Sequence, residues 1–236
     1  MFQNDRAIFR LQLKVALRNK VVFFYTLIIP IIVLFLNQGE DFRDSSVLYA
    51  YWSYIVVTTV LNGFMLNIIR LRESGFLKTL SYTVGSKLSV ILTSFLVQLL
   101  IIQGEIFLFN LVVLFFITPI SAVVFIYGFL VSFLTAIVCT SMMSGLFLLK
   151  IKEATFNIVI DIFLFAGIVL LGIHPEGAWH YISSVINPFQ LVYELYAVPA
   201  TIDTFTIIVA FVTASYLIMG FFVLNKISVK SQLSRV

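Results

Sequence analysis

The chain has 236 residues, of which 61% are hydrophobic and 11% charged, with a formal net charge of +4. Such a composition excludes an ordinary soluble domain. Nor is the basic excess a nucleic-acid signal, because the cations flank apolar runs, where topology and anionic headgroups account for them.

Residues 1–20 read as an amphipathic helix. Arg6, Arg10, Lys14 and Arg18 form a basic stripe, with Ile8, Phe9, Leu11, Val15 and Ala16 on the other side. That profile suits a helix lying in a membrane interface. No short apolar core with a small-residue cleavage site follows, so the segment does not read as a signal peptide. Six apolar runs come next, at 21–37, 45–69, 88–118, 122–149, 154–173 and 204–225. About 20 mostly apolar residues cross a hydrocarbon core, and the long third and fourth runs predict tilt or interfacial extension. Pro30 falls in the first run, where a kink is tolerable.

Fourteen of the 15 Lys and Arg lie in residues 1–20, in the connections 70–87 and 150–153, and after Asn225. The exception, Arg43, sits in a loop with Glu40, Asp41 and Asp44. Cations stay on the cytoplasmic side. The expected fold is therefore all-α and integral to the membrane: six transmembrane helices in one domain, both termini cytoplasmic, in the plasma membrane of a bacterium.

In the second span, Tyr51, Tyr54, Thr58, Asn62 and Met65 share about a quarter of the circumference at 100° per residue. They read either as helix–helix hydrogen bonding or as the lining of a pathway or subunit seam. The third span places Ser94, Gln98 and Glu105 on one face. An ionised carboxylate at mid-span costs about 2.5–3.5 kcal/mol, and no span interior offers a Lys or Arg to pair with it. Glu105 is thus expected to be protonated, hydrogen-bonded in the bundle or open to a water cavity.

Gly128, Ser132, Thr135 and Cys139 make a small-residue stripe suited to close helix packing. Cys139, the single cysteine, leaves no disulfide framework. Asn157 and Asp161 stand four apart in the fifth span, close enough to hydrogen-bond. Segment 174–203 has no cation and carries Trp179, Tyr181, Phe189, Tyr193 and Tyr196. Aromatic residues favour the headgroup level, so the segment reads as an outer cap of two short helices lying at, or dipping into, the outer leaflet. His174 and His180 beside Glu176 lack a third strong metal ligand, so no metal site is expected.

The connection 70–87 combines charge, a glycine break and apolar residues at Leu77 and Leu80. It reads as a short cytoplasmic helical hairpin with one apolar and one charged edge, a surface for docking a soluble partner. With no soluble domain in sight to cover them, Phe76, Leu77 and Leu80 are expected to meet headgroups or that partner. Glu73 is expected to pair with a basic residue of the partner. The chain has no GxxxxGK[ST] phosphate loop, so energy must come from a partner or an ion gradient.

The same segment resembles the signature of the ABC-2 type transporter permeases. Arg72, Glu73, Gly75, Leu77, Leu80, Thr83 and Ser86 match it. Val84 stands where the family usually has proline, and Leu71-Arg72 follows Arg70 where an extra glutamate is common. The basic helix running through Arg18-Asn19-Lys20 into a span with Pro30, and Asn187-Pro188-Phe189 before the last span, are similar too.

The resemblance implies a permease subunit pairing with an identical or homologous permease and with two cytoplasmic ABC ATPase subunits. Those subunits, not this chain, would bind ATP and Mg. It also implies that Arg70, Arg72, Glu73, Gly75, Leu77 and Leu80 transmit ATPase closure. The second and fifth spans, with Asn157 and Asp161, would flank the path between permeases. The expected function is the membrane subunit of an ATP-driven exporter of hydrophobic or amphipathic cargo, a drug, lipid or antimicrobial-type peptide. Three rivals stand beside it: a proton-coupled secondary transporter using Glu105 and Asp161, an intramembrane enzyme, and a non-transporting assembly or immunity subunit.

Overall fold

The computed structural model describes residues 2–18, 20–36, 46–149, 151–173, 178–198 and 204–228, and among these it is helical with no strand. The acidic loop with Arg43, and Lys150, His174, Glu176, Lys230 and Arg235, lie outside the described residues.

Helix α1 (Phe2–Arg18) and α2 (Lys20–Leu36) come first. Then α3 (Ser46–Thr58) passes into a π-helical segment (Thr59–Met65) and continues as α4 (Leu66–Glu73). The short α5 (Phe76–Val84) precedes α6 (Lys87–Phe116) and α7 (Ala122–Met143), the last ending in a 3₁₀ turn (Ser144–Leu148). After α8 (Glu153–Ile173) come the short α9 (Ala178–Ile186) and α10 (Pro188–Ala197), then α11 (Thr204–Lys226).

Five helices are long and apolar enough to cross a membrane: 46–73, 87–116, 122–148, 153–170 and 204–226. A sixth candidate is the pair Arg6–Arg18 and Val22–Leu36, bent by 53°. By itself α2, with 17 residues, rises only about 25 Å and falls short of the ~30 Å core. The second span runs beyond the expected Ile69 to Glu73, because nothing breaks the helix before Gly75.

The core centres on the helix 46–73. Trp52, Ile55, Leu61, Phe64 and Met65 are fully buried, packed by α6, α7, α8 and α10. The α7 stripe packs as its small residues imply: a Cβ on Gly128 would lie 2.7 Å from the Trp52 ring, and Ser132, Thr135 and Cys139 have no exposure.

Helix α10 is packed into the bundle. Phe189, Leu191, Val192 and Tyr196 are buried against α3, α7 and α8. The Asn187-Pro188-Phe189 run explains how it is set. Pro188 opens the helix at a position that needs no N–H. The Asn187 side chain accepts from Phe189 N at 3.1 Å and donates to Gly167 O at 3.0 Å, tying α10 to α8.

Among the described residues, one end of the bundle holds the cations Arg18, Lys20, Arg70, Arg72 and Lys87. The Lys87 ammonium donates to Asn225 O at 2.5 Å and Ile227 O at 3.0 Å, so it caps the orphan carbonyls of α11. A second, smaller core forms there from Ile8, Leu77, Leu80, Val84 and Val90.

Candidate functional site: the basic end and the polar cleft above it

Two glycines make the turn into and out of α5. Gly75 at φ 74° and Gly85 at φ 81° hold the left-handed conformation that other residues resist. The α5 they delimit is strongly two-faced. Leu77, Leu80 and Val84 are buried against Ile8 of α1 and Val90 of α6. Phe76 and Tyr82 are exposed, with Lys78 over the Tyr82 ring at 5.9 Å.

This corrects one expectation. Leu77 and Leu80 are covered by the chain's own α1 and α6 and need neither headgroups nor a partner. The amphipathic helix turns part of its apolar side onto α5 and α6, while Leu11, Val15 and Leu17 stay exposed.

The two arginines of the segment differ sharply. Arg70, half-exposed, pairs with Glu153 at the start of α8 at 2.8 Å. Arg72 has no exposure. Its Nε donates to Glu73 at 3.2 Å, and another guanidinium nitrogen donates to the carbonyl of Phe147 in the 3₁₀ turn at 3.0 Å. Glu73 thus has a basic partner within the chain. The Glu73 end of the helix 46–73 is bolted through Arg72 to the end of α7 and through Arg70 to α8.

Above this end lies a cleft of about 570 Å³ between α1, α2, the π-helical segment, α4 and α6. The exposed Leu17, Arg18, Lys20 and Arg70 form its mouth. Polar groups step inward from there. Asn67 donates to Ser94 at 3.1 Å. One turn deeper, Gln98 fills the space beside Gly63, where a Cβ would lie 2.3 Å from Gln98 Oε1. Asn62 lines the same space. At the closed end stands Glu105, with no exposure. The Thr59 hydroxyl donates to Glu105 Oε2 at 2.7 Å, and the Thr26 hydroxyl of α2 faces Oε1.

Glu105 is therefore hydrogen-bonded within the bundle. Its partners, Thr26 and Thr59, went unmarked in the sequence because isolated threonines are common in apolar runs. Asp161 is not brought near the cleft. It lies exposed on α8, accepting from Asn157 at 3.2 Å. Of the α3 stripe, Tyr51, Tyr54, Thr58 and Met65 are buried in the chain's own core, and only Asn62 reaches the cleft. The π-helical segment is the reason the stripe divides. Its wider turn shifts the register below Thr58, so 100° per residue no longer holds.

At the opposite end, His180 lies 3.4 Å from Glu194 and packs on Phe205 with ring centroids 4.5 Å apart. Among the described residues no cluster of three or more His, Cys, Asp or Glu could hold a metal.

Comparison with family models, with curated proteins and with solved structures finds no match to this chain.

Proposed function

We propose that this chain is the membrane subunit of an ATP-driven exporter of hydrophobic or amphipathic cargo, an ABC-2 type permease. The observation that carries the reading is the unit α4–Gly75–α5. Its short helix stands between two left-handed glycines, one face seated on α1 and α6, the other presenting Phe76, Lys78 and Tyr82. A push on that outer face would reach α7 through Arg72 and α8 through Arg70. A surface wired to several spans suits a docking site for a force-generating partner better than a plain connecting loop.

In this reading the α5 end is cytoplasmic, the span formed by α1 and α2 makes six, and both termini are inside. Two cytoplasmic ATPase subunits bind ATP and Mg and dock on α5. A second permease, identical or homologous, packs on α8. There Asn157 and Asp161 interrupt an exposed apolar face made by Ile158, Ile162 and Phe165. A carboxyl facing lipid is costly, so this face favours a protein neighbour. Four of the five stripe residues of α3 are inside the chain, so the seam is assigned to α8. The membrane is the bacterial plasma membrane, and nucleic acid plays no part.

The test is co-purification of the chain with its binding partners, followed by ATP hydrolysis with and without candidate cargo. An ATP-hydrolysing subunit whose rate rises with cargo supports the reading. The second reading, proton-coupled transport, is favoured by the buried Glu105 at the cleft. In sealed vesicles, transport that stops when the proton gradient collapses and continues without ATP selects it instead.

A further inference from the structure

The cleft beneath the arginines does not end at random. It ends at the one fully buried acidic side chain of the described spans, and beyond that side chain the helices are closed. From Ser94 to Glu105 the polar track follows α6 for about 16 Å at 1.5 Å per residue. Its volume and the polar side chains along it, Asn62, Asn67 and Gln98, suit water, which needs room for a probe sphere and two to four polar partners. Beyond Glu105 the helices close. Ile55, Ile106 and Phe109 have no exposure, the Tyr51 and Phe109 rings lie 5.4 Å apart, and Trp52 Nε1 donates to Asn110 at 2.8 Å.

The hydroxyl partners of Glu105 can satisfy either form of the acid. Thr26 Oγ1 faces Glu105 Oε1 and also has the carbonyl of Val22 at 3.0 Å. It has one hydrogen to give. With the carboxylate ionised, Thr26 and Thr59 both donate to it. With the acid protonated, the new O–H donates to Thr26 Oγ1 and the Thr26 hydrogen turns to Val22 O, while Thr59 keeps its bond. Neither form leaves a buried group unpaired, which is the costly outcome.

We infer that Glu105 is a proton-binding site served through this cleft from the basic end alone. The carboxylate takes a proton from water in the cleft and returns it by the same route. The charged and titratable groups facing the cleft and its closed end are Arg18 of α1, Lys20 of α2 and Arg70 of α4 in its lining, and Tyr54 of α3, which neighbours both Glu105 and Tyr25 of α2. Because Glu105 ties α2 to the π-helical segment through Thr26 and Thr59, proton uptake bears on that joint. The site is not a through-path, because the plug interrupts it. The inference rests on membrane embedding alone and goes beyond the exporter reading.

The test uses the purified protein reconstituted in one orientation in sealed vesicles, with the pH stepped on each side separately. The infrared carbonyl band of a protonated carboxyl, present in the unmodified protein and absent in Glu105→Gln, should follow pH on the basic-end side only. In a Cys139→Ala background, Gln98→Cys should react with a small charged thiol reagent from the basic end, and Phe109→Cys from neither side. A band that follows the opposite side, or ignores pH on both, overturns the inference. So does an unreactive Gln98→Cys, or a band that sodium removes at constant pH. ATPase binding does not enter these readouts, so the exporter reading can fail while this one stands.

Discussion

The Arg72 guanidinium donates to the main-chain carbonyl of Phe147 at 3.0 Å, from a position with no solvent exposure. One buried cation thus joins the last turn of the second span to the 3₁₀ turn that ends α7. Because that guanidinium is buried, the contact is a fixed point rather than a relaxed surface pair.

Arg72→Ala should destabilise the protein by about 3–5 kcal/mol, the range for breaking a buried pair. Arg70→Ala removes an exposed pair with Glu153 and should cost about 0–1 kcal/mol. Thermal unfolding of both variants in detergent checks the contrast. Equal melting temperatures for the two would contradict the division of labour between the arginines.

Gly75→Ala meets no atom within 4 Å, so any effect is conformational. Holding alanine at φ 74° should cost about 1–2 kcal/mol. Gly75→Asn should cost less, since asparagine tolerates the left-handed region. Melting curves that rank alanine above asparagine would show that α5 starts with a different turn.

Two other glycines separate flexible from rigid neighbours. At Gly63 the obstructing atoms are the far end of Gln98, which can swing into the cleft; at Gly128 they belong to the Trp52 ring, fixed by Asn110. Gly128→Ala should therefore lose about 1–3 kcal/mol. Gly63→Ala should lose less, and in a Gln98→Ala background nearly nothing. A double-mutant cycle on Gly63 and Gln98 measures this coupling. Strict additivity would remove Gln98 from that space.

Orientation is open to direct labelling. In a Cys139→Ala background, Tyr82→Cys should resist an impermeant thiol reagent in intact cells, and Trp179→Cys should react. Both positions are exposed, so silence would report sidedness rather than burial. The reverse pattern would invert the topology derived from the cations.

The long helices were legible because each needs only an apolar run ended by charge or by a break such as Pro119, and their ends fell close to the expected ones. Gly75 was legible for a similar reason, since glycine between a charged helix end and an amphipathic run marks a break. The π-helical segment was not, because a change of turn width leaves composition untouched while moving Asn62 and Met65 off the face of Tyr51. Nor could the sequence separate Arg70 from Arg72. Both are cations at a span end, and which one is buried depends on the 3₁₀ turn some 75 residues later. The partner of Leu77 and Leu80 was missed because Ile8 and Val90 reach them only through the docking of α1 on α6. The aromatic residues of 174–203 pointed to the outer leaflet, and what they did not disclose is that Phe189 and Tyr196 of α10 are buried against other helices of the chain.

The proposed function requires the outer face of α5 to receive an ATP-hydrolysing partner. A photo-crosslinking residue placed at Tyr82 in cells tests it directly, because that side chain is 78% exposed and faces away from the Leu77–Leu80 core. The account predicts a covalent adduct to an ATP-hydrolysing protein at position 82 and none at Trp179. It further predicts that Phe76→Ala with Lys78→Glu abolishes the adduct while the chain still inserts and melts normally. A Tyr82 probe that captures only lipid, in cells where the chain is active, would contradict it.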